Sequence, residues 1–293
     1  MPWTGPLAPL ARPSGGFAIV AMDQRESLRA MFGDAGGRAS DAELVSFKVA
    51  VTRVLSPSAS ALLLDVDYGV APALDAHALA PSCALIVAAD RLEQRAGGPV
   101  TDTDLDERID PGALRAFGAV ALKLLVVWRD DRKRDRRREM VERFTSLCAD
   151  SGLASVVEGV VRGPEGFDRE AGIVESAREL GARCDLYKAE VPLFGRATHD
   201  EIAARARAIT AALPCPWVVL SQGVEIEDFP AAVAAACAGG ASGFLAGRAI
   251  WRDVVGSERI DEDLRTRALP RLDRLSLIVD EAMSRGPVRS LSS

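Results

Sequence analysis

Eight short apolar runs, with amphipathic, Ala-rich stretches between them, confine this chain to a parallel β/α architecture. The runs occupy residues 16–22, 61–64, 84–89, 121–127, 154–157, 186–190, 217–220 and 243–246. Most are unbroken Val, Ile, Leu and Ala, as expected of strands covered on both faces rather than half-exposed ones. The intervening helices are predicted at 41–55, 135–148, 168–180, 199–212 and 229–237, with a closing helix at about 261–283. Ser40, Thr198 and Asp228 stand at or near three helix starts, and Pro57, Gly181 and Gly239 follow three ends, the usual start and stop chemistry.

Eight such units in 293 residues predict an α/β fold of the (β/α)8 TIM-barrel type, whose usual size is about 250 residues. The competing doubly wound sheet would carry a Gly-x-Gly-x-x-Gly turn after its first strand or a Walker loop, and neither occurs. No Pro/Ser-rich linker divides the chain, so one barrel domain is expected over 1–293, with 1–13 irregular and 91–111 a long loop after the third strand.

The charge balance excludes several functions. With 36 Lys+Arg against 42 Asp+Glu the net charge is −6, which argues against nucleic acid or an anionic membrane as partner. The basic run 132–138 reads as a solvated helix start. No apolar run approaches the roughly 18 residues that span a bilayer, and the first 16 residues form no signal peptide, so a cytoplasmic location is expected. Five widely spaced cysteines without a Cys-x-x-Cys pair, and only two histidines, His77 and His199, suggest no disulfide framework and no metal site. No cofactor is expected.

In a barrel the chemistry gathers at the C-terminal ends of the strands. Asp23, Lys123, Glu158, Lys188 and Arg248 interrupt or end the apolar runs there. A lysine within a buried strand is costly unless it is paired or functional. Lys188 is therefore either held by Glu158 or Glu190, or an amine nucleophile able to form a Schiff base with a ketone. Lys123 is a second such lysine, and two inward ammonium groups would repel, so one is expected to be neutral. Glu158, at the end of the fifth strand, could move protons between them, and Asp23 ends the first. After the last two strands, Ser221-Gln222-Gly223 and Gly247-Arg248 offer glycines for close backbone approach and a guanidinium fork. These suit a phosphorylated substrate.

Four segments taken in order carry a resemblance: Ala21-Met22-Asp23-Gln24-Arg25-Glu26, Lys123-Leu124-Leu125-Val126-Val127-Trp128-Arg129, Tyr187-Lys188-Ala189-Glu190-Val191-Pro192, and Gly240 through Ala249. From about Ser14 to Met283 the chain resembles the class I aldolases that include tagatose 1,6-bisphosphate and sulfofructosephosphate aldolases. The wording of the fourth, seventh and eighth strands is nearer the sulfofructosephosphate members, whereas 64–69 reads more like the tagatose branch. Gln222 stands where a small residue is expected, and Gly159 where Pro is expected.

The resemblance implies that Lys188 forms an iminium with a ketose phosphate. Glu158, helped by Lys123, would serve the proton transfers, and Asp23 would orient Lys188 or the sugar hydroxyls. Ser221, Gly223, Gly247 and Arg248 would hold one anionic end, and Gln24 with Arg25 the other. Cleavage of 6-deoxy-6-sulfofructose 1-phosphate would release dihydroxyacetone phosphate and 3-sulfolactaldehyde, with tagatose or fructose 1,6-bisphosphate cleavage, transaldol transfer and non-catalytic sugar-phosphate binding as the alternatives. A homo-oligomer is implied as well.

Overall fold

The computed structural model describes residues 3–33, 39–95 and 98–285. Its strands are β1 (Phe17–Met22), β2 (Ala61–Leu64), β3 (Ala84–Ala88), β4 (Asp90–Gln94), β5 (Val100–Leu105), β6 (Ala119–Trp128), β7 (Ala154–Val161), β8 (Leu186–Glu190), β9 (Trp217–Leu220) and β10 (Gly243–Ala246). Eight of them close into a barrel in the order β1-β10-β9-β8-β7-β6-β3-β2, every neighbouring pair parallel. The predicted TIM barrel is the observed fold.

Because side chains alternate across a strand, each apolar run serves two cores. Ala18, Val20, Met22, Leu62, Leu64, Val157 and Val219 face the surrounding helices. Ile19, Ala21, Leu63, Ile86, Ala88, Ala121, Val156, Leu186, Val218 and Leu245 fill the barrel itself.

The helices start as their caps dictate. Ser40 and Thr198 form capping boxes with Glu43 and Glu201, and Asp168 accepts from the Ala171 N–H at 3.0 Å. Asp228 makes no side-chain cap. The closing helix is interrupted, running as Ile260–Asp263, a π turn at Leu264–Ala268, and Leu269–Ser284. In the basic run, Arg137 is buried, donating to the Arg129 carbonyl at 3.0 Å and to Asp131 at 2.8 Å. That run therefore also braces the loop before its helix. All five cysteines are free thiols, four of them buried, and no helix among the described residues is long and apolar enough to cross a membrane.

Three expectations are corrected. Segment 91–111 is not a loop: β4 and β5 pair antiparallel, Asp90 opposite Leu105, as a hairpin inserted between barrel strands β3 and β6. Its Asp102 and Asp104 meet Lys133 and Arg136 at 3.0 Å each. A sequence rich in Asp, Arg and Thr forms strands here because cross-strand and inter-element ion pairs replace apolar burial. Glu158 does not end its strand, since β7 continues to Val161. Lastly, within 1–13, whose first two residues lie outside the described ones, Gly5–Leu10 makes a 3-10 turn. Its Leu7 and Leu10 plug the barrel floor, and Trp3 stacks on Phe17 at 5.8 Å.

Candidate active site

The barrel's inward face repeats every second residue, and its upper layer is polar. Two residues beyond Ala21, Ala88, Ala121, Val156 and Leu186 stand Asp23, Asp90, Lys123, Glu158 and Lys188. All are buried. Strand register sets Glu158 beside Lys188 on β7 and β8, and Lys123 on the neighbouring β6.

One ammonium is enclosed by three carboxylates. Lys123 Nζ lies 2.7 Å from Asp23 Oδ2, 2.9 Å from Asp90 Oδ2 and 3.0 Å from Glu158 Oε2. Glu158 Oε2 is also 2.9 Å from Lys188 Nζ, so one carboxylate bridges the two lysines. Burial alone would depress Lys123, but Asp23, Asp90 and Glu158 outweigh it and hold the amine well above its usual range. The expectation that lysine repulsion leaves one amine neutral therefore does not hold for Lys123. Its charge acts on its neighbours: burial alone would raise Asp23 and Glu158, yet Lys123 and Lys188 bring both below the usual carboxylate range.

The structure adds a partner for Asp23 and a residue, Asp90, that the apolar runs do not reveal. Asp23 pairs directly with Lys123 rather than Lys188. Asp90 also accepts from the Leu125 N–H at 3.1 Å and from Arg25 at 3.1 Å. The apolar run ends at Ala89, which hides Asp90; the period-two signal Ile86, Ala88, Asp90 reveals it.

Above this cluster lies a cavity of about 510 Å³, lined by Asp23, Gln24, Lys123, Glu158, Lys188 and Arg248 together with Arg162 and Gln222. Leu92, Gln94 and Val100 of the hairpin and Ser27 and Met31 after β1 complete the wall. Gln24 points an unpartnered amide oxygen. Arg25 departs from its expected role in holding an anion: its guanidinium donates to the Asp90 carbonyl at 2.9 Å and lies 3.7 Å from Asp67, so carboxylates already hold its charge. Ser221 is buried and Gly223 takes φ +77°. Gly247 precedes the short helix Arg248–Trp251, and a Cβ there would strike the Ala21 carbonyl. The departure at Gly159 has a steric cause, because a Cβ there would collide with the Tyr187 hydroxyl, itself 3.0 Å from Ser176 Oγ. Glu190 turns away from the lysines to the Val161 N–H at 2.7 Å and Arg169 at 3.4 Å.

Comparison with known proteins gives this arrangement a context. The model of the DeoC/LacD family aldolases matches residues 17–253. A tagatose 1,6-diphosphate aldolase of Listeria monocytogenes serotype 4a (strain HCC23) is 27% identical, over 93% of this chain and 90% of its own. Tagatose 1,6-diphosphate aldolase 1 of Enterococcus faecalis is also 27% identical, over 93% of each chain. Fructose-bisphosphate aldolase from Plasmodium falciparum shares the fold with a TM-score of 0.68 at 17% identity, over 93% of this chain and 92% of that one. A Schiff-base-forming fructose-1,6-bisphosphate aldolase does so at 0.64 and 16%, over 94% and 98%. The chain belongs to the DeoC/LacD aldolase family and is a lyase of the class I aldolase type.

Proposed function

We propose that this protein cleaves a ketohexose 1-phosphate through a Schiff base on Lys188, releasing dihydroxyacetone phosphate and a three-carbon aldehyde. The carrying observation is the pair Lys188–Glu158, 2.9 Å apart at the base of the cavity. To attack the ketone carbon, Lys188 gives up an ammonium proton, and Glu158 is placed to take it. Once the nitrogen is part of a neutral carbinolamine, Glu158 has lost one of its two cationic neighbours and holds the proton it has taken more firmly. It returns that proton to the carbinolamine hydroxyl as water leaves, and the carboxylate so regenerated accepts the proton of the hydroxyl next to the bond that breaks. The electron pair of that bond passes to the iminium as an enamine, the aldehyde leaves, and protonation with hydrolysis returns Lys188. Lys123 keeps its own proton and orients Glu158 and Asp23.

For the other end of the sugar, the names of the relatives support tagatose 1,6-bisphosphate. The wall formed by Ser27, Met31, Gln94 and Val100 supports a less charged end group, such as the sulfonate of 6-deoxy-6-sulfofructose 1-phosphate. A sulfonate carries one charge against about −1.5 to −2 for a phosphate.

Borohydride trapping with dihydroxyacetone phosphate, followed by peptide mass mapping, tests the Schiff base: an adduct on Lys188 is expected, and an adduct on Lys123 or none refutes it. Rates on the two ketoses then rank the end groups. A tenfold bisphosphate preference, about 1.4 kcal/mol, would sink the sulfonate reading.

A further inference from the structure

Gln222 and Arg162 are polar cavity residues that the proposed chemistry leaves unused, and they touch each other. Arg162 continues the inward face of β7 two residues past Val160. Its side chain is 30% exposed and lines the cavity. With the Gln222 amide oriented to satisfy its neighbours, its oxygen accepts from both terminal nitrogens of Arg162, at 2.7 and 3.2 Å. One further donation goes to the Val161 carbonyl at 2.8 Å.

Arg162 is only weakly neutralised. Its one carboxylate partner, Glu190, stands 3.9 Å away, and Glu190 already serves the Val161 N–H and Arg169. Arg248, on the same cavity wall, forms no salt bridge among the described residues. Burial works against its charge; Glu158 and Asp23 offset this in part, while Arg252 and Arg162 add to it. Two guanidinium groups sharing a partly buried wall, neither in a salt bridge closer than 3.9 Å among the described residues, attract an anion that meets both.

We infer that Arg162, oriented by Gln222, is a second anion-binding residue of this site, forming with Arg248 a two-guanidinium wall for the dianionic phosphate of the substrate. The inference rests on the aldolase reading above. It also explains why a large amide stands at 222, where a small residue was expected. The amide fixes the fork of Arg162, and a small residue would leave the guanidinium free to turn toward Glu190.

The test compares dihydroxyacetone phosphate with dihydroxyacetone in borohydride trapping. In Arg162→Ala the half-saturating concentration of the phosphate is expected to rise tenfold or more, while that of the unphosphorylated ketone moves less than twofold. Arg162→Lys, which keeps the charge but loses the fork, should fall between. Gln222→Ala should raise the phosphate value about threefold and add nothing once Arg162 is gone. Unchanged phosphate values in Arg162→Ala, or equal losses for both ketones, would overturn the assignment. If neither ketone is trapped by the wild type, the Schiff-base reading fails by itself. Calorimetric titration with inorganic phosphate then still tests the wall: weaker binding by Arg162→Ala is expected, and equal binding refutes it.

Discussion

The lower and upper layers of the barrel interior lie on the same strands, two residues apart, and obey opposite rules. Ala121, Val156 and Leu186 form a dry layer. Lys123, Glu158 and Lys188, the next inward positions, form a charged one that is also buried. The lower layer is stable because apolar area leaves water, at about 25 cal/mol per Å². The upper layer persists because each charge has partners within 3.0 Å; ion pairs of this kind seldom outperform apolar packing in stability. The difference teaches that burial by itself says little about purpose: the upper layer holds charges where water screens them little, an arrangement suited to a reaction and costly as mere packing.

The separation of roles can be broken experimentally. The largest effect is expected for Lys188→Ala, with turnover falling about 10⁴-fold or more, equivalent to about 5.5 kcal/mol. Its circular dichroism and melting should stay near wild type, because Glu158 keeps Lys123 as partner. Glu158→Gln should reduce kcat by about 10²–10⁴-fold, measured by coupled detection of dihydroxyacetone phosphate. In the lower layer the signs reverse: Leu186→Ala is expected to cost about 2–5 kcal/mol in denaturant unfolding, while the kcat of the protein that remains folded changes less than threefold.

Lys123→Met sharpens the comparison by joining both properties. Removing the ammonium leaves Asp23, Asp90 and Glu158 facing one another, and breaking such a buried cluster costs about 3–5 kcal/mol. The loss depends on pH. Asp23 and Glu158 have folded values below their unfolded ones, so their contribution is present above the unfolded carboxylate range near pH 4 and is lost as pH falls through the folded values. Lys123 is raised, so its share persists until pH climbs through its folded value. Melting curves should therefore separate wild type and variant most near pH 7 and converge only as pH falls below about 4 toward the folded carboxylate values. The smallest effect is expected for Tyr187→Phe, about 1 kcal/mol from the lost 3.0 Å contact with Ser176, with activity unchanged.

Legibility in the sequence followed the range of the interactions. The barrel was readable because alternation of apolar runs with capped helices is a local signal; Ser40 and Thr198 announce helices through residues three positions away. Lys123 and Lys188 stood out because charge inside an apolar run is locally anomalous. The β4–β5 hairpin was hidden, since its polar strands are held by Lys133 and Arg136 from a later helix. Glu158 was found, yet its strand was cut short because Gly159 interrupts the β-branched pattern for the sake of Tyr187, 28 positions further on.

The amino-acid sequence by itself thus determined the eight-fold β/α alternation, the inward period of two and the presence of two buried lysines, all consequences of covalent neighbours and local periodicity. Only the tertiary structure decided who meets whom. Asp90 takes Arg25, Asp23 takes Lys123 rather than Lys188, and Gln222 takes Arg162 across 60 residues of chain. A charge settles on its partner through a few ångströms of low-dielectric space, and barrel closure, not sequence distance, sets which groups share that space.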